Sequence, residues 1–450
     1  MLRRPLPQVT LDGLVPKDHL VRKIDAVIDF SFIHDLVAGL YCADNGRPPL
    51  DPTLMFKALF VGYLFGIRSE RQLVRDIEVN VAYRWFLGLK LTEPVFDAST
   101  LSQNRLRRYQ DTSVAQDIFD AIVEQAVAKG LVDGTVLYTD STHLKANANK
   151  QRYDVALVRK SRADYWDALD RAIEDDRAEH GKKPLKEKER VPPEKETKIS
   201  RTDPDAGYMV RDGKPKGFFY LDHRTVDGRH GIITDSFATP ANVHDSIVYL
   251  TRLDRQRERF DFDVRAVGLD AGYATSAIAK GLEERSILGV TGYRRPTPPQ
   301  TGMMPPKAFG YEAEQDGYRC PQDQILRYAT TDRSGYRHYK SDPAICRTCP
   351  LLGSCTSSSN ATRVITRHVW QEARQKADSY RHTPWGKRIY KRRKETVERS
   401  FADAKQLHGH RYARFRGLTA VACQCLFAAA AQNMKKIALA LVQMPVPSRA

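Results

Sequence analysis

Between Asp25 and about Leu106 apolar residues recur at spacings of three and four, most clearly in FKALFVGYLFGI and RQLVRDIEVNVAYRWFLGL. That period predicts helices, and no strand pattern interrupts it. Asp51 ahead of Pro52, and Asp97 with Ser99 and Thr100, stand where helix N-caps belong. The expectation is an all-helical domain of four or five helices over residues 15–110.

The pattern then changes. GTVLYTD, GFFYLDHRTV, GIITDSFATP and VRAVGLDAGY are dense in β-branched and aromatic residues and read as strands of one sheet. Helical stretches lie at Thr251–Phe260 and Thr275–Arg285, and a last strand at SILGVTGY, an order that fits a mixed α/β sheet. Two stretches interrupt it. Arg159–Asp205 is highly charged, with adjacent Pro192 and Pro193, and predicts a helix followed by a mobile insertion with few residues to anchor a core. Residues 294–383 are rich in Pro and Gly and predict a small inserted subdomain. After it, Trp385 to about Leu407 and Ala420–Leu441 read as two helices flanking the basic segment HGHRYARFRGL.

Composition narrows the partner. The 450 residues call for two or three domains. With 72 Lys and Arg against 55 Asp and Glu, the formal charge is +17, a field suited to a polyanion, although ribosomal and membrane-surface proteins can be equally basic. The basic N-terminus is followed by no apolar stretch, so it does not read as a secretory signal, and a cytoplasmic protein is expected. The longest apolar run, Leu418–Ala431, contains Gln424 and is followed by Gln432, Asn433, Lys435 and Lys436, which predicts a buried helix rather than a membrane span.

Three carboxylates stand out. Asp140 and Asp270 each end an expected strand, and Glu398 shares a predicted helix face with Lys405, seven residues on. Phosphoryl transfer on DNA uses such a set, because attacking and leaving oxygens both develop negative charge that divalent ions can offset, and hard oxygen ligands favour Mg²⁺ or Mn²⁺. The competing reading is plain: an Asp at a strand end commonly caps the next turn, and a helical Glu is commonly solvated.

TDSTHLKANANK, GLDAGY and ERSFADAKQLHGHRYARFRG, in that order, resemble the catalytic segments of bacterial insertion-sequence DDE transposases. GRPPLDPTLMFKALFVGYLFGIRSERQL and FDASTLSQNRLR resemble the helical N-terminal domain of that family. The resemblance implies an α/β fold: a ribonuclease H-like mixed sheet with flanking helices over 130–293 and 384–442, preceded by the helical domain and interrupted by 159–205 and 294–383. It implies Asp140, Asp270 and Glu398 as metal-binding catalytic residues and Lys405 as a DNA contact. The related signature sets Tyr, then Arg, ahead of the Glu. Here Lys391 and Lys394 occupy those places, and Tyr390 and Arg393 each stand one position early. Glu395 is the rival third carboxylate. Arg393, Lys394, His408, Arg411, Arg414 and Arg416 join Lys405 as expected DNA-binding residues, with Tyr412 and Phe415 interleaved for stacking. The implied partners are double-stranded DNA at element ends and target DNA, with two copies of the chain in the DNA complex and no membrane.

Cys320, Cys346, Cys349 and Cys355 include one Cys-x₂-Cys knuckle and form a candidate structural zinc site, with unconnected free thiols as the alternative. Cys42, Cys423 and Cys425 are expected in the core, and Asp245 in TPANVHDS is expected to cap the following helix. Two other functions stay open: a non-catalytic DNA-binding regulator that uses a recognition helix around Leu73–Leu89, and a nuclease of the same fold without strand transfer.

Overall fold

A computed structural model describes residues 10–41, 50–159, 165–186, 194–210, 213, 216–293 and 302–443; Cys42, Pro192 and Pro193 lie outside them. The chain divides into two compact units, one of residues 1–158, 194–269 and 388–450, the other of residues 159–193 and 270–387.

The first unit joins helices to a mixed sheet. Its strands are β1 (Val136–Lys145), β2 (Tyr153–Arg159), β3 (Glu194–Ser200), β4 (Gly207–Met209), β5 (Gly217–Asp227), β6 (Ile233–Pro240) and β7 (Ala266–Leu269). β1 lies at the centre, antiparallel to β5 and parallel to β7, while β5 carries β4 and β6 along its other edge. β2 and β3 form a separate two-stranded ribbon. All eleven positions of β5 are buried, so both faces of this strand are covered.

The N-terminal region is helical as the periodicity predicts, with no strand among its described residues, but residues 15–110 hold six described α-helices rather than four or five: Leu20–Asp25, Phe32–Val37, Pro52–Leu64, Glu70–Val79, Val81–Leu87 and Ala98–Asn104. Asp51 and Asp97 are the N-caps of two of them, accepting from the second residue of each helix. The Leu73–Leu89 segment, expected as one recognition helix, is two helices broken at Asn80, whose side chain caps the second. Leu73, Val74 and Ile77 face the core.

The expected boundary near residue 110 is not a boundary between units. The helix Leu418–Gln443 explains why. Phe427 stands 5.9 Å from Phe56 and 6.0 Å from both Phe60 and Tyr63, ring to ring, while Asn433 bonds both the N–H and the carbonyl of Ile233 on β6 at 2.8 and 2.7 Å. One apolar helix therefore shares its core with the N-terminal helices and with the sheet. It is long and apolar enough to cross a bilayer, yet 67% of its most apolar window is buried within the protein. The polar residues that interrupt the run are satisfied: Gln424 accepts from Arg414 N at 2.7 Å and donates to Tyr412 O at 3.0 Å.

The second unit contains the helix Trp166–Glu179, the helices Ser276–Glu284 and Gln371–Tyr380, the strand β8 (Leu288–Thr291), and an antiparallel sheet of β9 (Gly310–Glu312), β10 (Gly317–Arg319), β11 (Ile325–Thr331), β12 (Tyr336–Lys340) and β13 (Val364–His368). The charged interval 159–205 is not the coreless insertion expected. Leu169 and Ile173 pack with Ala277 and Trp370, Arg177 donates to the Thr331 carbonyl at 2.9 Å, and residues 194–200 return to the first unit as β3. Charge counting hid an amphipathic helix with one apolar stripe.

Candidate active site

Asp140 is not a strand end. β1 runs five residues beyond it, to Lys145, because the antiparallel pairing with β5 continues to Lys145–Phe219. The parallel pairing with β7 does stop there: Thr139 is opposite Leu269, and Asp140 and Asp270 are the next residues along their chains. Asp270 is the first residue of the second unit, and its Oδ1 accepts from Gly272 N at 2.8 Å, the capping role that competed with a catalytic one.

The segment read as one helix from Trp385 to Leu407 is two, Pro384–Arg392 and Val397–Leu407. Between them the backbone leaves the helical region at Thr396, with φ −108° and ψ −97°, and the Thr396 hydroxyl donates to the Arg392 carbonyl at 2.9 Å across the turn. The break has two consequences. Arg393 turns inward, where its Nη2 donates to Asp140 Oδ2 at 2.7 Å and its Nη1 lies 3.9 Å from Glu398 Oε1. Glu398 becomes the second residue of a new helix, in the first turn, where the helix dipole favours an anion. Glu395 lies in the turn itself, exposed, and shares no helix face with Glu398.

Arg393 therefore joins Asp140 to Glu398, and its side chain is 5% exposed against 20% for Asp140 and 45% for Glu398. The expectation that Arg393 offers itself to DNA is corrected: the residue is internal, stacked beside Tyr390 and bound to a carboxylate. Lys405 hydrogen-bonds the Thr142 hydroxyl, two residues beyond Asp140 on the same face of β1. Phe401 and Ala404, on the adjoining face of the helix, are buried as the spacing predicts.

The basic segment 408–416 divides in two. His408 is 2% exposed, hydrogen-bonded to the Tyr63 carbonyl, and burial pushes its pKa down to about 4, so it is a neutral core histidine and not a phosphate contact. Arg414 is half-buried over the Tyr63 ring at 4.1 Å. Arg411, Arg416 and Lys394 are exposed, as is Tyr412 at 45%. The whole loop is docked against the end of β1, with Lys145 N bonded to Arg411 O and Ala413 N to Lys145 O.

A second polar cluster, not foreseen from the sequence, lies beside Asp140. Arg224, its register partner on β5, is fully buried and donates to Asp222 at 2.8 Å, to the Gln432 side chain and to Ser400 Oγ at 3.4 Å. Asp222 also accepts from Ser236 at 3.0 Å and pairs with His410 Nε2 at 2.8 Å. Burial alone would raise the Asp222 pKa, but Arg224 and His410 outweigh it and hold the carboxyl at about 2. Asp222, His410 and Cys425 are close enough to hold a metal, but Asp222 already serves three donors, one of them a cation. The cluster instead fastens the helix of Glu398 to the sheet, since Gln432 also donates to the Ser400 carbonyl at 3.0 Å. The alternation of LDHR along a strand was the available signal, because Asp222 and Arg224 share one face.

On the opposite face, Ser141 donates to Asp245 at 2.9 Å. The cap of that helix is His244, whose Nδ1 accepts from Ser246 N; Asp245, expected as the cap, lies inside the first turn.

Residues 9–107 match the family described as transposase domain (DUF772), and residues 319–438 match the family described as transposase DDE domain. The second match includes Glu398, Lys405 and the four clustered cysteines; Asp140 and Asp270 lie outside both. No curated protein matches the chain. Among solved structures it is similar, at 11% identity and a TM-score of 0.31, to a piggyBac transposase synaptic complex with hairpin DNA, over 96% of this chain and 82% of that one, too slight a likeness to carry an argument.

Proposed function

The two domain matches support a DDE transposase of the insertion-sequence type, and on that premise we propose that the chain cuts and rejoins DNA at element ends with Mg²⁺ or Mn²⁺ held by Asp140, Asp270 and Glu398 on a ribonuclease H-like frame. The observation that carries this reading is Arg393, a buried cation that gathers Asp140 and Glu398 from a strand and a helix far apart in sequence. Arg393 would oppose a cation on its own side of the pair, so a hard divalent ion would have to take the solvent-facing oxygens of Asp140, 20% exposed, and Glu398, 45% exposed, where its chemistry would be to offset charge on the attacking and leaving oxygens.

The remaining roles belong to the chain's own groups. Arg393 keeps two like charges together before DNA arrives. Lys405, on the helix of Glu398, is held by Thr142, the next residue after Asp140 on the same face of β1, and offers an ammonium to an adjacent phosphate. Arg411, Arg416 and Lys394 supply exposed positive charge around it, while the +17 net charge draws duplex DNA by counterion release. Two copies bound to two ends are the expected assembly.

Incubating the protein with labelled candidate element ends and Mg²⁺ tests this directly. A transposase nicks at the terminus and joins the freed end to target duplex. A regulator binds without nicking, and a nuclease nicks without joining.

A further inference from the structure

The second unit contains a group of residues that DNA cleavage does not use. Its β9–β13 sheet is narrow, and its buried apolar cluster consists of Phe309, Leu326, Tyr339 and Ile365. Cys320 and Cys355 pack against that same cluster, although 35 positions separate them.

Each cysteine comes from a short, sharply turned segment. Cys320 follows β10 directly, and its sulfur accepts from Gln322 N at 3.4 Å while its carbonyl accepts from Asp323 N at 2.9 Å. Cys346 ends the helix Pro343–Cys346, and Cys349 N bonds back to the Cys346 carbonyl at 3.1 Å, closing the two-residue knuckle. Cys355 ends the helix Leu352–Cys355. All four are unbridged and half-buried.

From this convergence we infer that Cys320, Cys346, Cys349 and Cys355 bind one structural Zn²⁺ that closes the second unit. Tetrahedral zinc takes four thiolates and suits a Cys-x₂-Cys knuckle paired with ligands from elsewhere in the chain. As the four Zn–S bonds form, four thiol protons pass to solvent, and the site is left with two net negative charges. One positive charge is already in place to offset part of them: Arg363 donates to the Cys355 carbonyl at 2.7 Å and to the Met304 carbonyl at 3.0 Å. Burial pushes the Cys355 thiol up, Arg363 pulls it down, and the other three sulfurs are near enough to be felt electrostatically. No three of the four sulfurs lie within 4.8 Å of one another among the described residues, so the ion has to draw them together. The β9–β13 portion, residues 310–368, is small and buries few apolar side chains of its own, which gives it reason to need such a staple.

The inference does not depend on the transposase reading, because its test is metal content. Full-length protein purified without chelator is expected to contain about one zinc per chain by elemental analysis. Stripped with a mercurial and titrated with Co²⁺, it should develop the visible bands of tetrahedral cobalt–thiolate coordination, which zinc then abolishes. Cys349→Ser should lower zinc content and bleach those bands, whereas Cys423→Ser, a thiol in the other unit, should change neither. Wild-type protein without zinc and without cobalt–thiolate bands overturns the proposal, whatever the variants do. Equal zinc in Cys349→Ser and wild type overturns it as well.

Discussion

Asp140 and Asp222 are on neighbouring strands and face the same side of one sheet, yet their surroundings differ in every respect that matters to chemistry. Asp222 is sealed at 0% exposure, with Arg224, Ser236 and His410 filling its oxygens. Asp140 keeps 20% of its side chain in solvent, and its charged partner Arg393 comes from a turn between two helices. A saturated buried carboxylate is architecture, because removing its charged partner Arg224 would leave a buried charge unpaired. A carboxylate meant to exchange partners needs access to water and a counter-ion on a segment that can yield.

The comparison can be broken by mutation, and the largest effect is expected at the sealed site. Asp222→Asn leaves Arg224 buried without its counter-charge and should cost about 3–5 kcal/mol, read as a fall in the urea midpoint. Acid comes next. His408 has a folded pKa of about 4 against an unfolded value near 6.5, so protonation favours the unfolded chain. Its contribution is complete above pH 6.5 and disappears as the pH falls towards 4, roughly 3 kcal/mol in all. His368, in the second unit, also has a pKa pushed to about 4 by burial and titrates in the same window. His408→Gln therefore isolates the share, and an unchanged slope of stability with pH in that variant would refute it.

At the open site the stability effect should be smaller. Asp140→Asn weakens one charge-assisted hydrogen bond but leaves Glu398 beside Arg393, so about 1–2 kcal/mol is expected. A loss equal to that of Asp222→Asn would erase the contrast. Smallest of all is Glu395→Gln in the exposed turn, within about 0.5 kcal/mol and with no change in DNA cutting. Loss of cutting there would make Glu395 the third carboxylate.

The sequence made elements legible where a single period dominated. The apolar spacing of residues 52–104 and the strand that stops before Asp270 were read correctly because burial leaves a repeating trace, whereas the strand through Asp140 was read five residues short. The break at 393–396 left none, since no Pro or Gly falls between Lys387 and Leu407 and the residues there are helical in character throughout. The same break moved Arg393 from an expected DNA contact into the interior. His408 and Arg414 misled for a related reason: composition reports how basic a loop is, and only packing decides which of its side chains turn inward. The shared core of helix Leu418–Gln443 was foreseen as burial but not as a junction, because an apolar run does not say how many partners it has.

The most direct test of the central claim compares cleavage of labelled element-end DNA in Mg²⁺ by wild type, Asp140→Asn, Asp270→Asn and Glu398→Gln, with DNA binding measured on the same samples. Each substitution removes the negative charge of a proposed metal ligand at nearly constant shape. The account predicts binding close to wild type in all three and cleavage reduced by a factor of at least about a hundred. Near wild-type cleavage by any one of them, in protein shown to bind the same ends, would remove that residue from the triad.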